Sequence, residues 1–360
     1  MENLEEVLTF INTKRLIEKG DRVGVAVSGG GDSMALLHFL VSNQKQLGCT
    51  IIAVNVNHNM RAGSRKDSKF VADYCKANGI EFAGYNIDVP PFAAEQKMSL
   101  EQAARVKRYQ CFDAAIQKFG LTKFAVAHHA SDQAETILLH IFRGSGIAGA
   151  SGMQAQRGIF VRPFLETAKT DIVAYLYKNQ IPFVEDETNA DTKYPRNFLR
   201  HEVIPLLKRE WRNVEKNVNS FGTAARIDNE YLSSLVERSH LIRSENNIRI
   251  PLNFFAYPDA VVARIVLTAF EEIGMRENIE KKHVDLILIL ADTGENGSRI
   301  DLPNGLYAIK EYEYITIVKK GEVVKIASAP FKIGKTAFPG FEKCSMKYSA
   351  KESEKRISSL

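Results

Sequence analysis

Residues 22–27 (RVGVAV) form a short apolar run with no amphipathic alternation, the pattern of a strand buried on both faces. Apolar positions then recur at helical spacing over 33–47, and a second buried strand reads at 51–56 (IIAVNV). The same alternation continues with a helix over 64–78 closed by Gly79, and a third strand at 81–87. A long amphipathic helix follows over 99–119, opened by Ser99 and Gln102 as a capping box and ended by Gly120. Residues 123–127 (KFAVA) read as a fourth strand and 131–142 as another helix. Strands alternating with helices predict an α/β fold: a doubly wound, mostly parallel, Rossmann-like sheet with helices on both faces.

The texture changes after Arg143. Residues 143–152 (RGSGIAGASG) are glycine-rich and predict a loop. Pro163, Pro182, Pro195 and Pro205 punctuate the next stretch around one helix at 169–179. A long helix is expected over 211–239, then a segment at 247–251, helices at 258–273 and 281–290, and short strands at 299–302, 306–310 and 314–318. A boundary near 210–218 divides the chain into 1–212, a mainly helical 213–325, and 326–360, where patterning fades into a polar tail. No internal repeat or low-complexity segment interrupts this order.

Composition narrows the class. The chain has 360 residues and a net charge of +5, with 45% hydrophobic and 25% charged residues, ordinary for a globular protein. The mildly basic balance permits a polyanionic partner without demanding one. Cys49, Cys75, Cys111 and Cys344 form no C-x-x-C pair, so neither a zinc ribbon nor a disulfide framework is expected. The first residues lack a signal-peptide pattern, and no apolar run approaches the ~18 residues of a membrane span. A reduced, cytoplasmic setting and no membrane partner are the expectations.

The chemistry concentrates at strand ends. Ser28-Gly29-Gly30-Gly31-Asp32-Ser33 follows an apolar strand and opens a helix, so bare backbone N–H groups and a helix N-terminus converge on one point. Three glycines permit close approach, and the two serines add hydroxyls. An acid is out of place in a pure phosphate cradle, but Asp32 suits a ligand of Mg²⁺ bridging phosphates. The loop is not a Walker A motif, because it lacks that motif's lysine.

The second strand ends at His58 and Arg61, where ligands of open parallel sheets bind. The fourth ends in Ala127-His128-His129-Ala130-Ser131-Asp132-Gln133-Ala134-Glu135-Thr136. Asp132 and Glu135 share one helix face, either as plain dipole stabilisers or, with the histidines, as a site for Mg²⁺ or a substrate amine. Arg105 and Arg108 share a face of the long helix. An acidic turn containing Asp186 and Asn189 precedes Arg196 and Arg200, and basic residues outnumber acids through Arg209 and Arg212, the footprint of a nucleic acid or a solvated helix face.

The phosphate loop resembles the PP-loop of the N-type ATP pyrophosphatases, which split ATP into AMP and pyrophosphate. The wider set of blocks resembles the tRNA(Ile)-lysidine synthetase family. Those blocks are VAVSGGGDS at 25–33, VNHNMR at 56–61, ARVKRY at 104–109, AHHASDQAET at 127–136, RGSG at 143–146, RPFL at 162–165, EDETN at 185–189 and RNFLRHEVIPLL at 196–207.

The resemblance implies ATP and Mg²⁺ as co-substrates, with O2 of the wobble cytidine of a CAU-anticodon tRNA(Ile) attacking the α-phosphorus. Free L-lysine then attacks C2, expels AMP and leaves lysidine. It implies ATP binding by Ser28 to Ser33, His58 and Arg61, and metal binding by Asp32. Lysine binding falls to Asp132, Glu135 and Asp186, with Asn189 assisting. Asp32, Asp132, Glu135, His129 and Arg105 are the implied catalytic set, the proton acceptor being a carboxylate or a histidine.

Arg105, Arg196 and Arg200 are left among three roles: adenylate, lysine carboxylate or tRNA backbone. Arg108, Arg143, Arg209 and Arg212 are anion or tRNA contacts. The resemblance makes 1–212 catalytic and 213–325 tRNA-contacting, and it allows a homodimer. Family members often carry two acids where Ser131-Asp132 stands. Longer members have a second C-terminal domain whose glycine- and lysine-rich block is not found here, so 326–360 is either a degenerate start of it or a tail. A PP-loop tRNA thiolase and an inactive ATP- or RNA-binding module are the rival expectations. The dispersed cysteines speak against the first and the intact acids against the second.

Overall fold

The computed structural model describes residues 4–57, 64–184, 195–236, 241–244, 246–275 and 278–319. His58, Arg61, Asp186, Asn189 and the 326–360 segment lie outside these residues. The first half runs α1 (Glu5–Thr13), β1 (Arg22–Ala26), α2 (Gly31–Leu47), β2 (Thr50–Asn57), α3 (Ser64–Ala77), β3 (Glu81–Asn86), α4 (Val89–Glu95), α5 (Leu100–Phe119), β4 (Lys123–Ala125) and α6 (Ala130–Phe142). A single helical turn, α7 (Ile147–Ala150), then precedes a hairpin of β5 (Gln156–Arg157) and β6 (Phe160–Val161), and α8 (Lys169–Lys178) follows.

The sheet has the order β3-β2-β1-β4-β6-β5. β1 pairs in parallel with β2 on one side (Val23 opposite Ile51) and with β4 on the other (Val23 opposite Lys123). Only the β5–β6 hairpin at the edge is antiparallel. α1, α2, α3 and α8 cover one face of the sheet, around Leu37, Leu40, Phe164 and Ile172. α5 covers the other, where Phe112 meets Phe124 at a centroid distance of 4.4 Å. The doubly wound expectation is therefore met. The chain moves outward from β1 to β2 and β3, then returns to add β4 on β1's other side. The crevice between the ends of β1 and β4 is the switch point where such sheets bind ligands.

The differences from the sequence reading are local. Residues 143–152 close the helical turn α7, because Ala150 N–H bonds Gly146 O (3.1 Å) and the His140 ring bonds Gly149 O (2.6 Å). α4 carries Pro90 and Pro91 in its first turn, where a helix tolerates proline but the sequence masks it. The long helix expected at 211–239 begins later. α9 (Pro195–Phe198), a π turn (Leu199–Val203) and α10 (Ile204–Glu210) end at Trp211, whose φ of −123° and ψ of 85° break the helix before α11 (Val214–Ser234).

The C-terminal region adds β7 (Ile242–Arg243), β8 (Asn247–Pro251), α12 (Asp259–Glu272), α13 (Lys281–Thr293), β9 (Arg299–Leu302), β10 (Leu306–Lys310) and β11 (Tyr314–Lys319). Its antiparallel sheet, ordered β7-β8-β11-β10-β9, packs with α12 and α13 around Phe270, Ile265 and Ile317, a core separate from the first. α11 joins the halves. Its Gly222 lies so close to α6 that a Cβ there would sit 2.4 Å from Ile137 Cδ1. Asn219 Nδ2 donates to Ala130 O (2.9 Å) at the start of α6.

Candidate active site

The phosphate loop is shaped by its own side chains. Gly29 takes φ +96°, a left-handed value that a residue with a Cβ resists. Ser33 Oγ donates to Gly30 O (2.9 Å) and accepts from Ser28 N–H (3.1 Å), and Ser28 Oγ accepts from Gly30 N–H (3.3 Å). Gly30 caps α2 with no side-chain acceptor, so the helix N-terminus presents backbone donors to an incoming anion. Gly31 permits close packing: a Cβ there would stand 3.0 Å from Leu176 Cδ1 of α8.

Asp32, in the first turn of α2, bonds Lys169 Nζ through Oδ1, while Oδ2 lies 3.6 Å from His129 Nε2. Burial pushes its carboxyl up, but the hydrogen bonds and charges of His129 and then Lys169 outweigh this and hold it below the usual carboxylate value. His129 is buried at the end of the β4 segment and caps α6. Its Nε2 is also 3.5 Å from Asp132 Oδ2, which accepts from His129 N–H at 3.0 Å. Two acids from two strand ends thus flank one imidazole, as the β1–β4 adjacency requires. Beside it, burial above all holds the His128 imidazole down to about 4; Asp132 opposes the shift, while Arg162, Arg196 and His129 add to it.

Glu135 sits differently. Its side chain is 1% exposed, and both oxygens are taken: Arg196 Nε on Oε2 (2.8 Å), Arg200 Nε on Oε1 (2.6 Å) and Arg200 Nη2 on Oε2 (2.9 Å). Arg200 Nη2 also reaches Asp132 Oδ1 (2.9 Å). The irregular α9–π-turn–α10 segment aims both arginines at one carboxylate.

Of these groups Asp32, His129, Asp132, Glu135 and Arg200 line a cavity of about 1150 Å³ between the ends of β1 and β4, α8, α10 and α11. Asp32, Asp132 and Lys169 line one end, and Lys208, Arg212 and Lys216 line the α10–α11 side. Lys208 and Lys216 belong to the basic run that reads as a nucleic-acid footprint in the sequence, whereas Lys169 was not singled out there. Lys169 had a local signal, its place at a helix start after R-P-F-L-E-T-A.

Arg105 lies on α5 over the Tyr109 ring (5.5 Å) and, like Arg108, does not line this cavity. Arg143 is exposed at the end of α6, and Arg209 at the end of α10. Among the described residues no group of three or more His, Cys, Asp or Glu could hold a metal. A Mg²⁺ arriving with ATP needs only one or two carboxylates beside phosphate oxygens, and the hard oxygens of Asp32 and Asp132 fit that donor set.

The chain matches the PP-loop domain family over residues 2–207. It is 33% identical to the tRNA(Ile)-lysidine synthase of Clostridium acetobutylicum, over 89% of this chain and 71% of that one. It is 34% identical to the tRNA(Ile)-lysidine synthase of Bacillus subtilis, over 86% and 68%. The chain belongs to the tRNA(Ile)-lysidine synthase family.

The family's members are ligases acting on tRNA, and the PP-loop domain over residues 2–207 supports ATP as a substrate. Among solved structures, the U34-tRNA thiolase of Methanococcus maripaludis shares the fold with a TM-score of 0.51 at 13% identity, covering 65% of this chain and 80% of that one. No described helix is long and apolar enough to cross a membrane.

Proposed function

We propose that the chain ligates free L-lysine to C2 of the wobble cytidine, position 34, of CAU-anticodon tRNA(Ile), giving lysidine. The cytidine O2 attacks the α-phosphorus of ATP, the bond to the bridging oxygen breaks, and pyrophosphate leaves. The neutral ε-amine of lysine then attacks C2 of the adenylated cytidine. The C2–O bond breaks, AMP departs, and the amine's proton passes to a base in the cavity.

One observation carries this reading: an anion-binding helix N-terminus and two acids converge on one cavity whose α10–α11 side is basic. That combination suits a nucleotide, an amine and a polyanion together. In this reading the N–H groups of α2 and the Ser28–Ser33 loop receive the pyrophosphate. Asp32 holds Mg²⁺ with the phosphates, which supplies charge neutralisation at the leaving group.

Asp132, with Asp186 and Asn189, holds the amines of lysine, and His129 is placed to orient both acids. Glu135, saturated by Arg196 and Arg200, acts by positioning those guanidiniums for the adenylate or the lysine carboxylate. Arg212 and Arg209 then meet RNA phosphates, and residues 213–325 hold the tRNA body. A homodimer and a cytoplasmic setting complete the reading.

The test is incorporation of labelled lysine into a CAU-anticodon tRNA(Ile) transcript. Expected is one lysine per pyrophosphate and AMP released, dependent on ATP and tRNA. Absence of lysine from the tRNA sinks the proposal. Sulfur transfer is disfavoured by the placement of the described thiols: Cys75 and Cys111 are buried on α3 and α5, and neither lines the cavity.

A further inference from the structure

The phosphate loop has a charge problem. Its one ionised side chain, Asp32, is negative. The α2 N-terminus supplies the equivalent of roughly half a positive charge, whereas a departing pyrophosphate carries several negative ones. Walker A loops meet this demand with a lysine inside the loop, and none stands here.

A lysine is nevertheless delivered to the same point from another element. Lys169 is the first residue of α8 and bonds Asp32 Oδ1. Lys169, Ile172 and Leu176 fall at i, i+3 and i+7, one face of that helix. Ile172 and Leu176 are buried, and Leu176 packs on Gly31 at the start of α2. The start of α8 is fixed too: buried Phe164 and Leu165 anchor the preceding segment, and Thr167 O accepts from Ala130 N–H (3.0 Å) at the start of α6. The backbone of Lys169 is thus pinned to both helices that build the site, while its side chain remains 44% exposed and lines the cavity. A flexible four-carbon stem on a fixed base can leave a carboxylate for a phosphate within reach.

We propose that Lys169 is the phosphate-binding lysine of this site, supplied in trans to the loop by α8: it pairs with Asp32 in the free protein and transfers to the β- or γ-phosphate of bound ATP and to the pyrophosphate product. This rests on the reading that the site releases pyrophosphate from ATP. It goes beyond that reading in assigning a side-chain cation to the leaving group alongside the Mg²⁺ of that reading. A lysine serving only as the counter-ion of Asp32 accounts for the contact equally well, so the test must read the pyrophosphate end directly.

The experiment compares wild type with Lys169→Met and Lys169→Arg in ATP- and tRNA-dependent pyrophosphate release, with product inhibition by pyrophosphate and by AMP measured separately. If Lys169 meets the leaving group, Lys169→Met slows release by about 10²-fold and weakens pyrophosphate inhibition about tenfold or more, with AMP inhibition unchanged. Lys169→Arg retains much of both. A Lys169→Met protein with wild-type pyrophosphate inhibition overturns the proposal, whatever its rate, and leaves Lys169 a counter-ion. A thermal melt identifies a variant that has lost its fold, and Lys169→Arg then carries the test: full weakening of pyrophosphate and AMP inhibition alike overturns it. Failure of the ligation reading looks different, because wild type would release pyrophosphate in a Lys169-dependent way without adding lysine to tRNA.

Discussion

Asp32 and Glu135 enter the same cavity from helices that follow adjacent parallel strands, β1 and β4, yet they live in opposite electrostatic surroundings. Asp32 is 30% exposed and shares its oxygens with a half-exposed lysine and a histidine at 3.6 Å. Glu135 is 1% exposed and has each oxygen held by a guanidinium at 2.6–2.9 Å. A partly exposed acid with an exchangeable partner can take a new cation at modest cost. A buried acid saturated by two arginines cannot release them without leaving desolvated charge behind. Acids that look equivalent in sequence therefore divide into one suited to substrate and one suited to architecture, with Asp132 bridging the two through His129 and Arg200.

The comparison breaks most readily at its active end. Asp32→Ala is expected to lower pyrophosphate release by about 10³-fold, while the urea unfolding midpoint barely moves, because exposed pairs contribute under about 1 kcal/mol. A large midpoint shift with little loss of activity would reverse the two roles. Next comes Glu135→Ala, which strands Arg196 and Arg200 and is expected to cost about 3 kcal/mol in urea unfolding, the low end for a broken buried pair because both arginines keep some solvent. An unchanged midpoint together with a raised KM for lysine would make Glu135 a substrate ligand instead.

The His128 imidazole ordinarily titrates near 6.5 but is held down to about 4 in the fold. Below 6.5 the unfolded chain binds a proton that the folded protein refuses, so stability falls as pH drops from about 6.5 towards 4, by about 3 kcal/mol in all. His128→Asn should remove this slope from unfolding curves taken between those pH values, and an unaltered slope would assign it elsewhere. The smallest effect belongs to the rim. Lys208 bonds Glu215 at 2.6 Å across the α10–α11 corner, with the lysine 44% exposed. Lys208→Met should change stability by no more than about 0.5 kcal/mol, while raising the KM for tRNA and leaving that for ATP in place if this wall faces RNA.

Much of the scaffold was legible from local signals. The runs RVGVAV and IIAVNV gave β1 and β2 because only apolar segments survive burial on both faces. Ser99 and Gln102 marked the start of α5, and Gly48 and Gly120 accept the left-handed caps that end α2 and α5. Signals failed where a local rule was overridden. The glycines of 143–152 concealed a turn of helix held by His140, and Trp211, read as the start of the long helix, instead ends α10 ahead of α11.

By itself the sequence determined the alternation of strands and helices, the phosphate loop and its missing lysine, and the blocks that carry the family resemblance. Each is written within a few residues, on the scale over which backbone periodicity, capping and motif spacing act. Only the tertiary structure decided which distant side chains meet. The switch of strand order at β1 and β4 set Asp32 and Asp132 on either side of His129. The turn after α9 brought Arg196 and Arg200 onto Glu135 from more than 60 residues away, and the packing of Leu176 on Gly31 set Lys169 over Asp32 across 137 residues. Periodicity encodes which face of an element is buried, not which element will cover it. The division of the acids between substrate and scaffold appears only once the sheet is assembled.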